Sequence, residues 1–194
     1  MKRLLILIGL ICSFQTFAQE EKEFGLKLGY NLTNVTDIKG LTGFEYGIFY
    51  KKMFTDKIAL DLGLNLRKQK LRENIYSQEA DVNVQFFSLP LTARYYFNKE
   101  LYGRIGFQPS LITNARIEES EDLSHGLKRD VKNHFNSFSL AGVFGIGYTI
   151  DKTIDIQVEY NMGLTNKFIE PSVGRFTETN QYLSVSFGYI LFKE

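Results

Sequence analysis

Apolar residues in this chain recur at every second position, segment after segment, and that period narrows the possible folds more than any other feature. Ile58, Leu60, Leu62, Leu64 and Leu66 alternate with Ala59, Asp61, Gly63, Asn65 and Arg67. Successive side chains of a β-strand point to opposite faces, so the pattern gives one apolar and one polar face. The same alternation runs through 24–32, 44–50, 87–97, 101–111, 138–148, 154–164 and 183–191. No stretch of similar length has the three-to-four spacing of an amphipathic helix.

The connections supply the topology. They fall at 34–41, 54–57, 67–83, 98–100, 113–134, 151–153 and 166–180, so long and short alternate. Strands that go up and down in sequence place all short connections at one end and all long ones at the other. The tight end carries Thr55-Asp56-Lys57, Asn98-Lys99-Glu100 and Asp151-Lys152-Thr153. Short turns at one rim and long polar loops at the other are the pattern of an outer-membrane barrel. The fold expected is all-β, an eight-stranded antiparallel up-and-down transmembrane β-barrel.

Alternation alone leaves open which face points outward, and a soluble barrel binding an apolar small molecule would turn the apolar face inward. Three features favour apolar outside. The less apolar face holds most glycines, among them Gly25, Gly29, Gly47, Gly63, Gly106, Gly145, Gly147, Gly163 and Gly188, as a crowded interior requires. It also carries charges of both signs, Lys27, Glu45, Lys51, Asp61, Arg67, Arg94, Arg104 and Glu159, which would neutralise one another across a narrow lumen. On the apolar face Tyr50, Tyr95, Phe97, Tyr148 and Tyr189 lie near the short-turn end, the place of an interfacial aromatic girdle. A turn pairing Phe54 with Ile58 would set Lys51 opposite Asp61, Phe49 opposite Gly63 and Glu45 opposite Arg67.

Residues 1–18 read as a secretory signal, with Lys2 and Arg3 before an apolar run to Cys12 and a small-residue stop at Ala18, leaving 19–194 as the barrel domain. Ile11 before Cys12 is too large for a lipidation site. Beyond that leader there is no cysteine, so no disulfide stabilises an exported product. A net charge of +1 in 194 residues gives no reason to expect nucleic acid. The aromatic content, 11 Tyr and 17 Phe, argues against disorder.

The run Phe87-Ser88-Leu89-Pro90-Leu91-Thr92-Ala93-Arg94-Tyr95-Tyr96-Phe97 resembles the L-x-I-P-L-x-x-x-Y strand of the PorT-like outer-membrane β-barrel family. Gly103-Arg104-Ile105-Gly106-Phe107-Gln108-Pro109-Ser110 is similar to the strand that follows it there, and Phe24 to Asn31 and Gly142 to Tyr148 extend the likeness. The resemblance implies a small barrel in the cell outer membrane and no catalytic motif.

Candidate chemistry is sparse. Ser124 and His125 beside Asp122 contain the residue types of a hydrolase, but a nucleophile and its base need converging side chains, which neighbours in one loop seldom provide. His134, at the start of a strand, reads as interfacial. Glu118, Glu119, Glu121 and Asp122 lack the spacing of a calcium loop. No metal and no cofactor is expected. Lys128, Arg129 and Lys132 are placed to meet lipopolysaccharide phosphates. The expectation is a non-enzymatic outer-membrane barrel with a plugged polar lumen, in contact with outer-membrane lipid and open to a protein partner through its loops. The alternatives are an outer-membrane lipid-modifying enzyme and the soluble periplasmic barrel.

Overall fold

A computed structural model describes residues 21–33, 41–75, 78–118, 128–130, 132, 136–165 and 181–194. The leader assigned to 1–18, together with Asp122, Ser124, His125 and His134, lies outside the described residues. The strands are β1 (Lys22–Thr33), β2 (Leu41–Thr55), β3 (Ile58–Ile75), β4 (Gln78–Ser88), β5 (Leu91–Tyr96), β6 (Leu101–Glu118), β7 (Lys128–Asp130), β8 (Phe138–Ile150), β9 (Ile154–Gly163) and β10 (Tyr182–Lys193). β4 and β5 are two pieces of one stave, because both pair β3 on one side and β6 on the other. β7 is a three-residue flap on the end of β6. Each remaining strand pairs its neighbours antiparallel, and β1 pairs β10, so eight staves close into a ring.

The apolar face points out. Leu28 is 63% exposed, Phe44 64% and Leu62 50%, while Lys27, Glu45 and Asp61 beside them are buried. A water-soluble protein rarely leaves so continuous an apolar surface uncovered, and in a bilayer that surface is the one that meets lipid. Closure satisfies the backbone, since no strand edge is left to the hydrocarbon. No helix among the described residues is long and apolar enough to cross a membrane.

The β2–β3 register sets Lys51 opposite Asp61, Phe49 opposite Gly63 and Glu45 opposite Arg67, as the hairpin arithmetic requires. The turn itself differs from the expected one. Thr55 pairs Ile58 around Asp56-Lys57, and the slip between Met53 and Thr55 absorbs Phe54 as a bulge. Thr55 Oγ1 accepts from the Ile58 amide at 3.0 Å, which holds the tighter turn. At the β8–β9 turn Asp151 and Lys152 adopt φ of 48° and 57°, and the Thr153 amide donates to the Ile150 carbonyl at 3.0 Å. Two left-handed central residues match the right-handed twist of the flanking strands.

Two of the long connections are shorter than their sequence implies. Residues 67–83 were expected as a loop, yet β3 runs to Ile75 and β4 begins at Gln78, with eleven paired positions between them. Likewise β6 continues to Glu118. At 68–70 and 83–85 the outward residues Lys68, Lys70, Asn83 and Gln85 are polar while the buried ones are Gln69 and Val84, so polarity no longer separates the faces and the strand is invisible to a period-two reading.

The stave break at Leu89-Pro90 is local. Pro90 has no amide hydrogen to give the ladder, but its carbonyl accepts from Gly63 at 2.9 Å and Leu89 donates to Pro109 at 2.9 Å. The alternation carries through the break, with Leu89 and Leu91 exposed and Ser88, Pro90 and Thr92 buried.

Candidate functional site

The interior is where the fold concentrates its polar chemistry. Among the described residues, five cations (Lys27, Lys51, Arg67, Arg94, Arg104) and five carboxylates (Glu23, Glu45, Asp61, Asp155, Glu159) are buried, so the interior is neutral as a whole. Burying isolated charges would cost several kcal/mol each, which only mutual pairing and hydrogen bonds offset.

Arg94 is the centre of the half nearer the short turns. Its Nε donates to Asp61 Oδ2 at 2.5 Å and its Nη1 to Asp155 Oδ2 at 2.7 Å. The guanidinium carbon lies 4.3 Å from the centre of the Tyr102 ring, whose hydroxyl donates to Asp155 Oδ1 at 2.7 Å. Gln157 Nε2 and Thr149 Oγ1 complete the shell of Asp155, at 2.8 and 3.3 Å. Register puts Arg94 directly opposite Arg104, a repulsive cross-strand pair if the two faced each other. Instead the carboxylates interleave. Arg104 turns to Glu159 and Gln157 through Nη1 and to Thr92 Oγ1 through Nε and Nη2, with Asp61 Oδ2 3.8 Å from its Nη2.

Lys27 lies 3.4 Å from both Glu45 Oε1 and Glu159 Oε2, and Asn65 Nδ2 donates to Glu45 Oε1 at 2.9 Å. Of its two register partners, Lys51 takes Glu23 on β1 and not Asp61 on β3. It bonds Glu23 at 2.5 Å and the Tyr96 hydroxyl at 3.2 Å. Beneath it Ala59, Tyr96 and Tyr102 pack with Met53 into an apolar floor, the two rings 5.2 Å apart.

Arg67 differs from the others. It lies across from Glu45 in register, but its guanidinium carbon sits 4.4 Å from the Phe86 ring and 4.1 Å from the Tyr182 ring. Its Nε and Nη1 have no hydrogen-bond partner. Ring faces, not a carboxylate, hold this cation. Nearby, Gln108 Nε2 donates to the Tyr182 hydroxyl at 2.7 Å and Ser88 and Ser110 share a hydrogen at 2.8 Å.

The inner glycines make room for these groups. A Cβ on Gly147 would collide with the Tyr102 ring, and one on Gly25 would lie 2.5 Å from Phe49 Cζ. Phe49 therefore covers Gly25, its register partner on β1, and not Gly63, its partner on β3. Gly63 lies under Pro90, where an added Cβ would come within 2.7 Å of the proline Cγ.

All eight charged positions singled out in the sequence are buried, and seven of them join in ion pairs or charged hydrogen bonds, Arg67 being the exception. The sequence reading passed over Glu23 and Asp155, and the partner rings Tyr96, Tyr102 and Tyr182. Parity was the available signal, since Tyr102 and Asp155 alternate with outward residues. The aromatic positions Tyr50, Tyr95, Phe97, Tyr148 and Tyr189 all point outward and are 38–60% exposed. The Tyr148 hydroxyl bonds Glu100 in the turn below. Lys128 and Arg129 lie in β7, opposite Glu118 and Ile117. Among the described residues no group of His, Cys, Asp and Glu is arranged to hold a metal ion.

Residues 4–190 match the family model described as outer membrane protein beta-barrel domain. No curated protein matches the chain. Among solved structures, Ail, the attachment invasion locus protein of Yersinia pestis, crystallised with the heparin analogue sucrose octasulfate, is similar over 89% of this chain and 99% of its own, with TM-score 0.50 and 15% identity. Neisserial surface protein A is similar over 88% of this chain and 97% of its own, with TM-score 0.52 and 13% identity. Identities this low show the shared fold, an eight-stranded antiparallel ring, and nothing finer. The outward apolar belt, the closed ring and the match over nearly the whole length lead to one conclusion: the chain belongs to the outer membrane protein beta-barrel family and resides in the cell outer membrane.

Proposed function

We propose that this is a non-enzymatic barrel with a plugged interior, acting as a structural or interaction protein through the connections at the end opposite the tight turns, which face out of the cell. The observation that carries the reading is the neutral interior of five cations and five carboxylates, most of them interlocked across the lumen. An eight-stranded ring is just wide enough to be filled by side chains, and here the fill is bonded to itself. Within the family, the Leu89-Pro90-Leu91 stave supports kinship with the PorT-like barrels, and export by a removable leader over 1–18 is part of the same proposal. The eight interior charges serve as the plug, the five outward aromatics as a girdle at the inner rim. Lys128, Arg129 and Lys132 are outer-rim contacts for lipopolysaccharide phosphates or a protein partner. Planar-bilayer recording of purified protein tests the plug. The expected trace shows no steady conductance, and conductance at the level of an open porin overturns the proposal.

A further inference from the structure

The outward face changes character abruptly on one side of the barrel. Leu66, Phe87 and Leu111 form a lateral apolar row across β3, β4 and β6. One step further toward the long connections, the row becomes Lys68, Gln85 and Asn114, and one step beyond that, Lys70, Asn83 and Arg116. Lys68 and Arg116 are exposed and Lys70 half-buried. Asp130 of β7 stands opposite Arg116, so the two rows carry three cations and one carboxylate. In the next row out, Arg72 and Asp81 are opposite in register. Among the described residues at this end, the outward positions of the other staves are Leu32, Thr42, Phe138, Leu164 and Leu183, none of them charged.

Two residues of strand rise about 6.7 Å, and a tilt of roughly 40° converts this to about 5 Å along the bilayer normal. Lys68 thus stands about one headgroup's depth above the last apolar row, continuous with the lipid-facing surface. Amides, which donate and accept, fill the space between the cations.

We propose that Lys68, Lys70 and Arg116 form a lateral binding site for the phosphate groups of an outer-leaflet lipid. The lipid's chains lie against Leu66, Phe87 and Leu111, and its phosphates bridge β3 and β6 over Asn83 and Gln85. The inference rests on the outward orientation of the long connections proposed above, and it goes further by assigning the phosphates to the barrel wall and not to the loops. A cation near a charged lipid surface contributes about a fivefold gain in binding, so three cations offset by one carboxylate give roughly tenfold or more.

The full chain would be refolded into phosphatidylcholine vesicles carrying bisphosphorylated lipid A, or the same lipid with its phosphates removed. Lipid retained after detergent extraction is read by native mass spectrometry. Wild type is expected to hold the phosphorylated form about tenfold better than the Lys68→Gln, Lys70→Gln, Arg116→Gln triple variant, and to release the dephosphorylated form. Lys57→Gln, Lys99→Gln, Lys152→Gln at the short-turn end should bind as wild type does. Should the first triple fail to fold, Lys68→Gln alone should lose severalfold. Equal retention by the outer variants and wild type, equal loss in the short-turn triple, or retention without phosphates overturns the site. Both rims meet the same lipid in such vesicles, so the result does not depend on orientation, which surface labelling of whole cells reads separately.

Discussion

The two halves of the interior hold cations by different means. Toward the short turns, Arg94 is gripped by two carboxylates and a phenol-backed ring. Toward the long connections, Arg67 lies between two ring faces with Nε and Nη1 unmatched. The first arrangement is a network in which each charge depends on the others. In the second, the cation's flat faces are covered by rings and the one carboxylate facing it in register, Glu45, is already engaged by Lys27 and Asn65. Removing a cation should therefore have unequal consequences at the two levels.

Arg94→Met should produce the largest effect, because it strands Asp61 and Asp155 in a buried setting. A loss of about 3–5 kcal/mol is expected when one partner of a buried ion pair is removed, read as the urea midpoint of unfolding from lipid vesicles. Adding Asp61→Asn to this variant should recover part of the loss. Arg67→Met keeps the flat apolar contact with Phe86 and Tyr182 and gives up only the charge on the rings, so about 0.5–2 kcal/mol is expected by the same measurement. Equal losses for the two variants would erase the distinction between the halves.

The smallest effect concerns the rim below. Lys193 Nζ lies 2.7 Å from Glu21 Oε2 and 3.4 Å from Glu23 Oε1. Its hydrogen bond holds the Glu21 carboxyl below the ordinary carboxylate range. A folded-state pKa below the unfolded one adds stability above the unfolded value and loses it as pH falls through the folded value. With Glu21 more than half exposed, the contribution is screened to less than about 1 kcal/mol. Glu21→Gln should thus lower the midpoint slightly at pH 7, by a difference that shrinks as the pH is lowered. An undiminished difference at pH 3 would place the effect elsewhere.

The staves were readable from Ile58 to Arg67 and their counterparts because a lipid on one side and a packed polar interior on the other leave each position one acceptable chemistry. Register followed from the turn, since a one-residue slip would have turned Leu62 inward and Asp61 to lipid. What the β2–β3 register alone could not give was the choice of partner. Lys51 takes Glu23 and Phe49 covers Gly25, their register partners on β1, in place of Asp61 and Gly63, their partners on β3, so each inward side chain has two flanking strands to choose between. Glu23 escaped notice for a different reason, standing one residue before the first apolar position of its strand, and Asp155 because it follows a turn where charges are ordinary.

One feature of the ring constrains its birth. β1 pairs β10 through eleven residue pairs, and the Lys22 and Glu194 backbones exchange two hydrogen bonds at 2.9 Å. The first strand of the ring thus waits for the tenth, and until they meet each offers a bare edge to any other chain. Half a barrel has no resting place in either compartment: its outer face is unfit for water, its charges and bare edges for lipid. Insertion must therefore proceed with both edges shielded by a companion and finish by handing one edge to the other.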